Sequence, residues 1–320
     1  MPAVSVIMPA YNVEAYIDAA IGSVRRQTFT DLELVIVDDG STDRTYEVAK
    51  RHAETDRRIR LVHQENGGLS AARNTALRHA IAPVMALLDS DDLWTPTFLE
   101  KQLAILESDG GIDIVTGNAW VLGGPQDREP ARPYPDPRPV PDLVSILADE
   151  LSVFVMTVFR RRVSDVIGNF DESLKTNEDY DFWVRAAVAG FRFARNEMPL
   201  GYYRRRDDSL SADDMRMLRG IIRVYTKHRP ALLYYRPALD ILDLQIKRFE
   251  AELIAAQARH AMDTKDFTSA KERIAELTDR RGGAKLGLVK MMSRWTPGLL
   301  WKAYQMRRNR QQTPAGLPGR

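Results

Sequence analysis

Met85-Ala86-Leu87-Leu88-Asp89-Ser90-Asp91-Asp92 is the stretch on which the fold turns. Four apolar residues run straight into three carboxylates. A continuous apolar run of this kind suits a buried parallel strand. Asp89 and Asp91 then stand at its carboxyl end, where open α/β sheets place their ligands. Two carboxylates this close repel each other unless a cation lies between them. Oxygen donors of this sort suit Mg2+ or Mn2+, and such an ion suits a diphosphate. The same residues also fit a solvated acidic turn, so the surrounding chain has to decide.

Upstream, Val4–Met8 reads as a β-branched strand stopped by Pro9. Glu33–Val37 reads as a second strand and also ends in acids, Asp38 and Asp39. Ile59–His63 is a third. Between them, Val13–Gln27 has helical apolar spacing, Ser41 or Thr42 can cap a helix running to about His52, and Ser70 can cap another running to about His79. Downstream, a helix begins near Pro96, a strand covers Ser152–Phe159, and Glu178 opens a helix with acids in its first turn. Two short strands follow at Phe191–Arg195 and Leu200–Arg205. Strands alternating with helices over short connections predict a doubly wound, mostly parallel sheet with helices on both faces. Beyond about Asp213 the pattern is helical, with a long amphipathic stretch at Ile241–Met262 and another at Phe267–Leu277. The expected organisation is an α/β domain over 1–212, a helical region over 213–310 and a disordered end at 311–320. Gly123–Pro141 is proline-rich and reads as a long exposed loop, either a lid or a disordered insertion.

Composition narrows the function classes. The chain has 320 residues, 44% of them hydrophobic, and no cysteine. That removes disulfides, thiolate metal sites and a cysteine nucleophile, and fits a reducing cytoplasm. Neither a signal-peptide pattern at the start nor a run of about 18 apolar residues is read. Net charge is +2, but residues 281–320 hold nine Lys/Arg and no Asp/Glu, so the body is acidic and the tail basic.

Five segments in order resemble family 2 glycosyltransferases with a GT-A fold. They are Ser5–Asn12, Val37–Asp43, Asn66–Asn74, Leu88–Asp92 and Asn177–Tyr180. The resemblance spans residues 4–211, and it is the joint order that makes it specific. It implies an inverting, metal-dependent transfer from a UDP-sugar to a hydroxyl of a glycan or polyprenyl-linked acceptor, as in cell-surface polysaccharide assembly. By it, Pro9 and Tyr11 flank the uracil, Asp38 or Asp39 accepts from its N–H, and Arg73 helps hold the nucleotide. Asp89-Ser90-Asp91 matches the family's DXD motif, with Asp91 on the metal and Asp89 on the ribose or on a metal-bound water. Asp179, beside Glu178, matches the catalytic base, and Trp183 one turn later either floors the acceptor site or packs in the core. Arg206 stands where many relatives have His. It can bind phosphate but cannot ligate a metal. No Gln-x-x-Arg-Trp segment is present, which fits one sugar added per encounter.

Residues 286–310 mix Trp, Leu and Met with Lys and Arg. This suits an interfacial helix on anionic lipid, which would put the protein on the inner face of the cell membrane. It also suits a helix packed on the domain with a solvated basic face. Nucleic acid is not expected as a partner. A second reading, a catalytically silent nucleotide-sugar-binding or scaffold subunit, has no need of the full acid set. A third, a nucleotidyltransferase, lacks a basic phosphate loop after the first strand.

Overall fold

The structure is a computed structural model that describes residues 1–138, 140–154, 156–206, 214–281 and 284–312, with the backbone alone at 281, 284, 285, 297 and 307–312. Asp207–Ser211, the part of the expected disordered end from 313 on, and the basic side chains of Lys285, Arg307, Arg308 and Arg310 lie outside the described residues.

The chain forms β1 (Val4–Ala10), α1 (Ile17–Arg25), β2 (Leu32–Asp38), α2 (Thr45–Thr55), β3 (Ile59–His63), α3 (Leu69–His79), β4 (Val84–Leu87), β5 (Leu93–Trp94), α4 (Phe98–Ser108) and β6 (Ile112–Leu122). Then come α5 (Leu143–Ala148), β7 (Thr157–Arg160), α6 (Arg161–Ile167), α7 (Glu178–Val188) and β8 (Arg192–Arg204). The helices α8 (Asp214–His228), α9 (Arg236–Asp263), α10 (Phe267–Arg281), α11 (Ala284–Trp295) and α12 (Pro297–Gln312) complete it.

Eight strands make one sheet in the order β3-β2-β1-β4-β7-β6-β8-β5. β1 pairs in parallel with β2 and with β4, while β7 runs antiparallel between β4 and β6. β1, β2 and β4 are buried at every residue, which is why they read as unbroken apolar runs. The two strands expected at 191–205 are one, β8, which pairs with β6 through register shifts beside Pro199. Proline cannot donate to a ladder, and an irregularity lets it stay within the strand. The helix expected from Pro96 starts at Phe98, with Thr97 at its cap position.

Two compact units are distinguished: Met1–Ala212 with Lys227–Leu242, and Asp213–Thr226 with Asp243–Arg320. In the first, Val6, Met8, Ile17, Ile21, Leu34, Ile36, Phe98 and Val158 form one core cluster on one face of the sheet, all essentially inaccessible. In the second, Tyr225 stacks on Phe249 with centroids 5.8 Å apart. Leu300, Trp301 and Tyr304 turn inward onto Ala261, Met262, Phe267 and Ala270, whereas Leu288, Met291, Trp295, Leu299 and Met306 face outward. The apolar residues of the basic tail are therefore divided between packing and solvent. Among the described residues, no helix is long and apolar enough to cross a membrane.

Candidate active site

The carboxyl ends of β1, β2, β3 and β4 bring four of the five motif segments to one edge of the sheet. After β1, Asn12 takes a left-handed φ of 50° and ties two loops together. Its Oδ1 accepts the Thr42 N–H at 2.8 Å, and its own N–H donates to Ser41 Oγ at 3.1 Å. Asn tolerates this conformation better than most residues. Pro9 lies buried at the end of β1, while Tyr11 is 48% exposed at the lip.

Asp38 is fully buried; its Oδ2 pairs with His63 Nδ1 at 2.7 Å, and its Oδ1 has no partner among the described residues. Asp39 receives three donors: Gln64 Nε2 at 2.7 Å, Gly67 N–H at 2.9 Å and Gly68 N–H at 2.8 Å. Gly68 has φ +91° and ψ 171°, a region open essentially to glycine alone. Asp39 thus holds the turn that launches α3. A carboxylate has about four acceptor positions, so each of the two aspartates retains capacity for another N–H.

Arg73, one turn into α3, does not point to open space. It is 2% exposed, its Nη1 donates to Glu178 Oε1 at 2.5 Å, and its Nη2 donates to Asp89 Oδ1 at 2.8 Å. Its guanidinium also lies 5.5 Å from the centre of the Phe170 ring. The side chain expected to touch the nucleotide instead bridges the end of β4 to the start of α7.

Past β4, Ser90 is buried, the side chain of Asp89 is 27% exposed, and that of Asp91 is 19% exposed. Asp91 forms an ion pair with Arg206 Nε at 3.1 Å. Asp92 is buried; its Oδ1 accepts the Arg204 N–H at 2.8 Å, and its Oδ2 has no partner among the described residues. Arg204 and Arg206 both stack on Tyr16, at 4.7 and 5.1 Å from the ring centre. Burial, and then the neighbouring Asp89, raise the Asp91 carboxyl above its ordinary range, with Arg206 opposing. Burial raises Asp92 further, with Asp91 and Asp89 adding to it.

These carboxylates fit a hard divalent cation: they are oxygen donors, close together, mutually repelling and partly desolvated. Among the described residues no group of three or more ligating side chains surrounds one point. Asp91 and Asp89 would therefore hold an ion such as Mg2+ or Mn2+ only with its other ligands supplied from outside these side chains. In this structure the Arg206 guanidinium is the cation at Asp91.

α7 opens after Asn177, which has a left-handed φ of 60°. Asp179 is half-buried in the first turn, its Oδ1 accepting the Tyr180 N–H at 2.8 Å. Burial raises its carboxyl above the ordinary range, against the pull of Arg73. Glu178 is raised for the same leading reason, but its oxygen is committed to Arg73. Trp183 is 1% exposed and packs edge-on against Phe159 and Phe182, so it belongs to the core and offers no open acceptor floor.

Sequence reasoning missed Asp181, which is fully buried. Arg185 Nε reaches its Oδ2 at 2.9 Å, while Lys227 Nζ and His228 Nε2 approach Oδ1 at 2.7 and 2.9 Å. The Asp181–Arg185 spacing of four on a helix was the available signal. These contacts fasten α7 to the end of α8.

The family model described as "Glycosyl transferase family 2" matches residues 5–168. The uncharacterized glycosyltransferase EpsJ of Bacillus subtilis (strain 168) is 32% identical over 219 residues, covering 66% of this chain and 63% of its own length. The putative teichuronic acid biosynthesis glycosyltransferase TuaG of the same organism is 44% identical over 106 residues, covering 33% of this chain and 42% of its own. The chain thus spans less than two thirds of these relatives. Among solved structures, S. aureus TarS 1-349 in complex with UDP-GlcNAc superposes with a TM-score of 0.64 at 18% identity, over 98% of this chain and 93% of that one. The mannosyltransferase PcManGT from Pyrobaculum calidifontis, in complex with GDP-Man and Mn2+, gives 0.63 at 22% identity, over 95% and 83%. At these identities the likeness speaks for the fold, a GT-A sheet with its flanking helices.

Proposed function

Because the chain belongs to glycosyltransferase family 2, we propose that it transfers one sugar per encounter from a UDP-sugar to a hydroxyl of a glycan or polyprenyl-linked acceptor, with inversion. The observation that carries this reading is the Asp179 carboxylate, raised by burial and set beside the Arg73 bridge that joins Glu178 to Asp89. A base must hold its proton neither too loosely nor too tightly, and a raised carboxylate suits that task. Asp179 takes the acceptor proton as the hydroxyl oxygen attacks the anomeric carbon, and UDP leaves from the opposite face. Pro9, Tyr11, Asp38 and Asp39 enclose the base, Asp89 and Ser90 face the ribose and diphosphate, and Arg206 meets phosphate once it leaves Asp91. A bound Mg2+ or Mn2+ at Asp91 and Asp89 supplies charge neutralisation for the departing diphosphate. Glu178 acts through Arg73 to position the site. The bound UDP-GlcNAc of TarS supports a UDP donor, and the Mn2+ of PcManGT supports a divalent ion. The teichuronic acid biosynthesis for which TuaG is named supports a polysaccharide as product.

The exposed Leu288, Met291 and Trp295 of α11 and Leu299 of α12, with Arg294 and Lys302 on the same segment, support peripheral contact with an anionic inner leaflet through residues 286–310. Co-sedimentation with anionic against neutral vesicles tests it; equal binding to both refutes it.

The central test is UDP release by purified protein over a panel of UDP- and GDP-sugars, with Mg2+, Mn2+ or chelator, beside Asp91→Ala and Asp179→Asn. Hydrolysis of one donor that needs the metal and Asp91 supports the donor site. Full activity in Asp179→Asn, or no metal-dependent affinity for any nucleotide, overturns the reading. Nucleotide affinity in a protein that turns over no donor with any offered acceptor would favour the silent-subunit alternative.

A further inference from the structure

The proline-rich segment has no role in the chemistry above, yet it covers an excess of buried positive charge. Arg132 is 4% exposed. Its Nη1 donates to the Ser152 carbonyl at 3.0 Å, its Nη2 to that of Leu151, and its guanidinium lies 5.5 Å from the centre of the Phe154 ring. The Arg195 side chain is 5% exposed; its Nη1 donates to the Arg138 carbonyl at 2.9 Å and stands 3.4 Å from Asp136 Oδ2. Asp136 is already held by the fork of Arg138, which reaches on to Asp149 at 2.8 Å. Three guanidiniums therefore share two closely paired carboxylates, with Glu197 a more distant third acid acting on Arg195. Arg132 Nε and Arg195 Nε and Nη2 have no partner among the described residues.

Buried donors without acceptors are rare in folded proteins. Here they sit on the two most buried arginines of one cluster, and the arginine fork matches phosphate better than any other side chain does. Burial first, and then Arg138 and Arg195, push the Arg132 guanidinium down to about 9, against the pull of Asp136 and Asp149. Its position also bears on the reaction. Ser152 and Phe154 lead into β7, which runs antiparallel to β4, so this segment enters the sheet at the end of β4 that carries Asp89 and Asp91. Tyr180 Oη donates to the Ile146 carbonyl at 2.8 Å, fastening α5 to α7, the helix whose first turn holds Asp179.

We infer that Arg132 and Arg195 form a subsite for a phosphate ester carried by the acceptor, separate from the place of the donor's diphosphate at Asp89 and Asp91. This rests on the reading that Asp179 faces the acceptor. Arg138 and Asp149, with side chains 27% and 33% exposed, form its more open rim.

The test is calorimetric titration of the full chain with inorganic phosphate and with glycerol phosphate, each with and without saturating UDP. Wild-type protein is expected to bind glycerol phosphate at least as tightly as inorganic phosphate, and to do so with UDP in place. Arg195→Gln is expected to weaken that binding about tenfold while leaving UDP affinity unchanged, a change of about 1.4 kcal/mol. Arg195→Lys, which keeps the charge but loses the fork, is expected to fall between the two and serves if the Gln variant does not fold. Failure of both phosphates to bind a protein that still binds UDP overturns the subsite and leaves the donor reading standing. Competition between phosphate and UDP overturns it, as does binding of inorganic phosphate alone. Phosphate binding lost in Arg195→Gln, in a protein without UDP affinity, keeps the subsite and removes the donor reading.

Discussion

Replacing Arg73 by Met is expected to destabilise the protein before it affects the nucleotide. The Arg73 side chain is 2% exposed and makes charged hydrogen bonds to Glu178 at 2.5 Å and Asp89 at 2.8 Å. Methionine fills much of the same space without charge. It leaves Glu178, whose side chain is 7% exposed, ionised and unpaired; Asp89, at 27%, keeps access to water. Breaking a buried pair from one side costs about 3–5 kcal/mol. At about 2–4 °C per kcal/mol for a domain of this size, melting should fall by roughly 6–20 °C. Removing both charges, as in Arg73→Met with Glu178→Gln, should recover much of the loss, because the cost lies in the orphaned charge. The sign with pH is also set. Burial already raises the Glu178 carboxyl, and removing Arg73 raises it further. A carboxylate whose folded pKa is raised costs stability when ionised, so the deficit is full at high pH and shrinks as pH falls through that raised value. The assay is urea and thermal unfolding of the four proteins of the double-mutant cycle at several pH values, with UDP affinity measured alongside. Unchanged melting in Arg73→Met, no coupling to Glu178 and a selective loss of UDP affinity would refute the bridge and restore Arg73 as a nucleotide ligand.

Asp179→Asn should keep nucleotide affinity and lose transfer, and the wild-type rate should fall on the acid side with an apparent pKa above that of an ordinary aspartate, because burial raises Asp179; a pH–rate profile checks both. Asp181 is held far below the ordinary carboxylate range by His228, Lys227 and Arg185, which outweigh its burial. Its contribution is therefore present above about pH 4 and lost as pH falls towards the depressed value. Asp181→Asn should cost about 3 kcal/mol at neutral pH by denaturant titration, and its gap to wild type should close in strong acid. Arg206 pairs with Asp91 at 3.1 Å and so competes with a divalent ion. Arg206→Gln should tighten Mn2+ binding to the protein alone and weaken UDP affinity in its presence, read by spin resonance of free Mn2+ and by calorimetry.

The strands of the parallel half, and the residues at their ends, are legible from local pattern. The apolar runs of Val4–Met8, Glu33–Val37 and Met85–Leu88 are local signals, because a strand buried on both faces needs apolar side chains at successive positions. The acids after them are legible for the same reason: charge cannot continue into the core. Asp179 in the first turn of a helix was legible from spacing and family resemblance. The partners of these side chains follow from the assembled fold. Arg73 and Glu178 are 105 positions apart, and they meet because β4 and the start of α7 flank the same end of α3. Trp183 and Asp179 lie one turn apart on one helix, yet one is core and the other borders the site, which depends on what packs against α7. Asp181 found Lys227 and His228 far along the chain, and the buried arginines found too few carboxylates, because burial and ion pairing follow strand order and loop path. Pattern and capping act over a few residues and are written locally. Which charge neutralises which is a property of the assembled sheet.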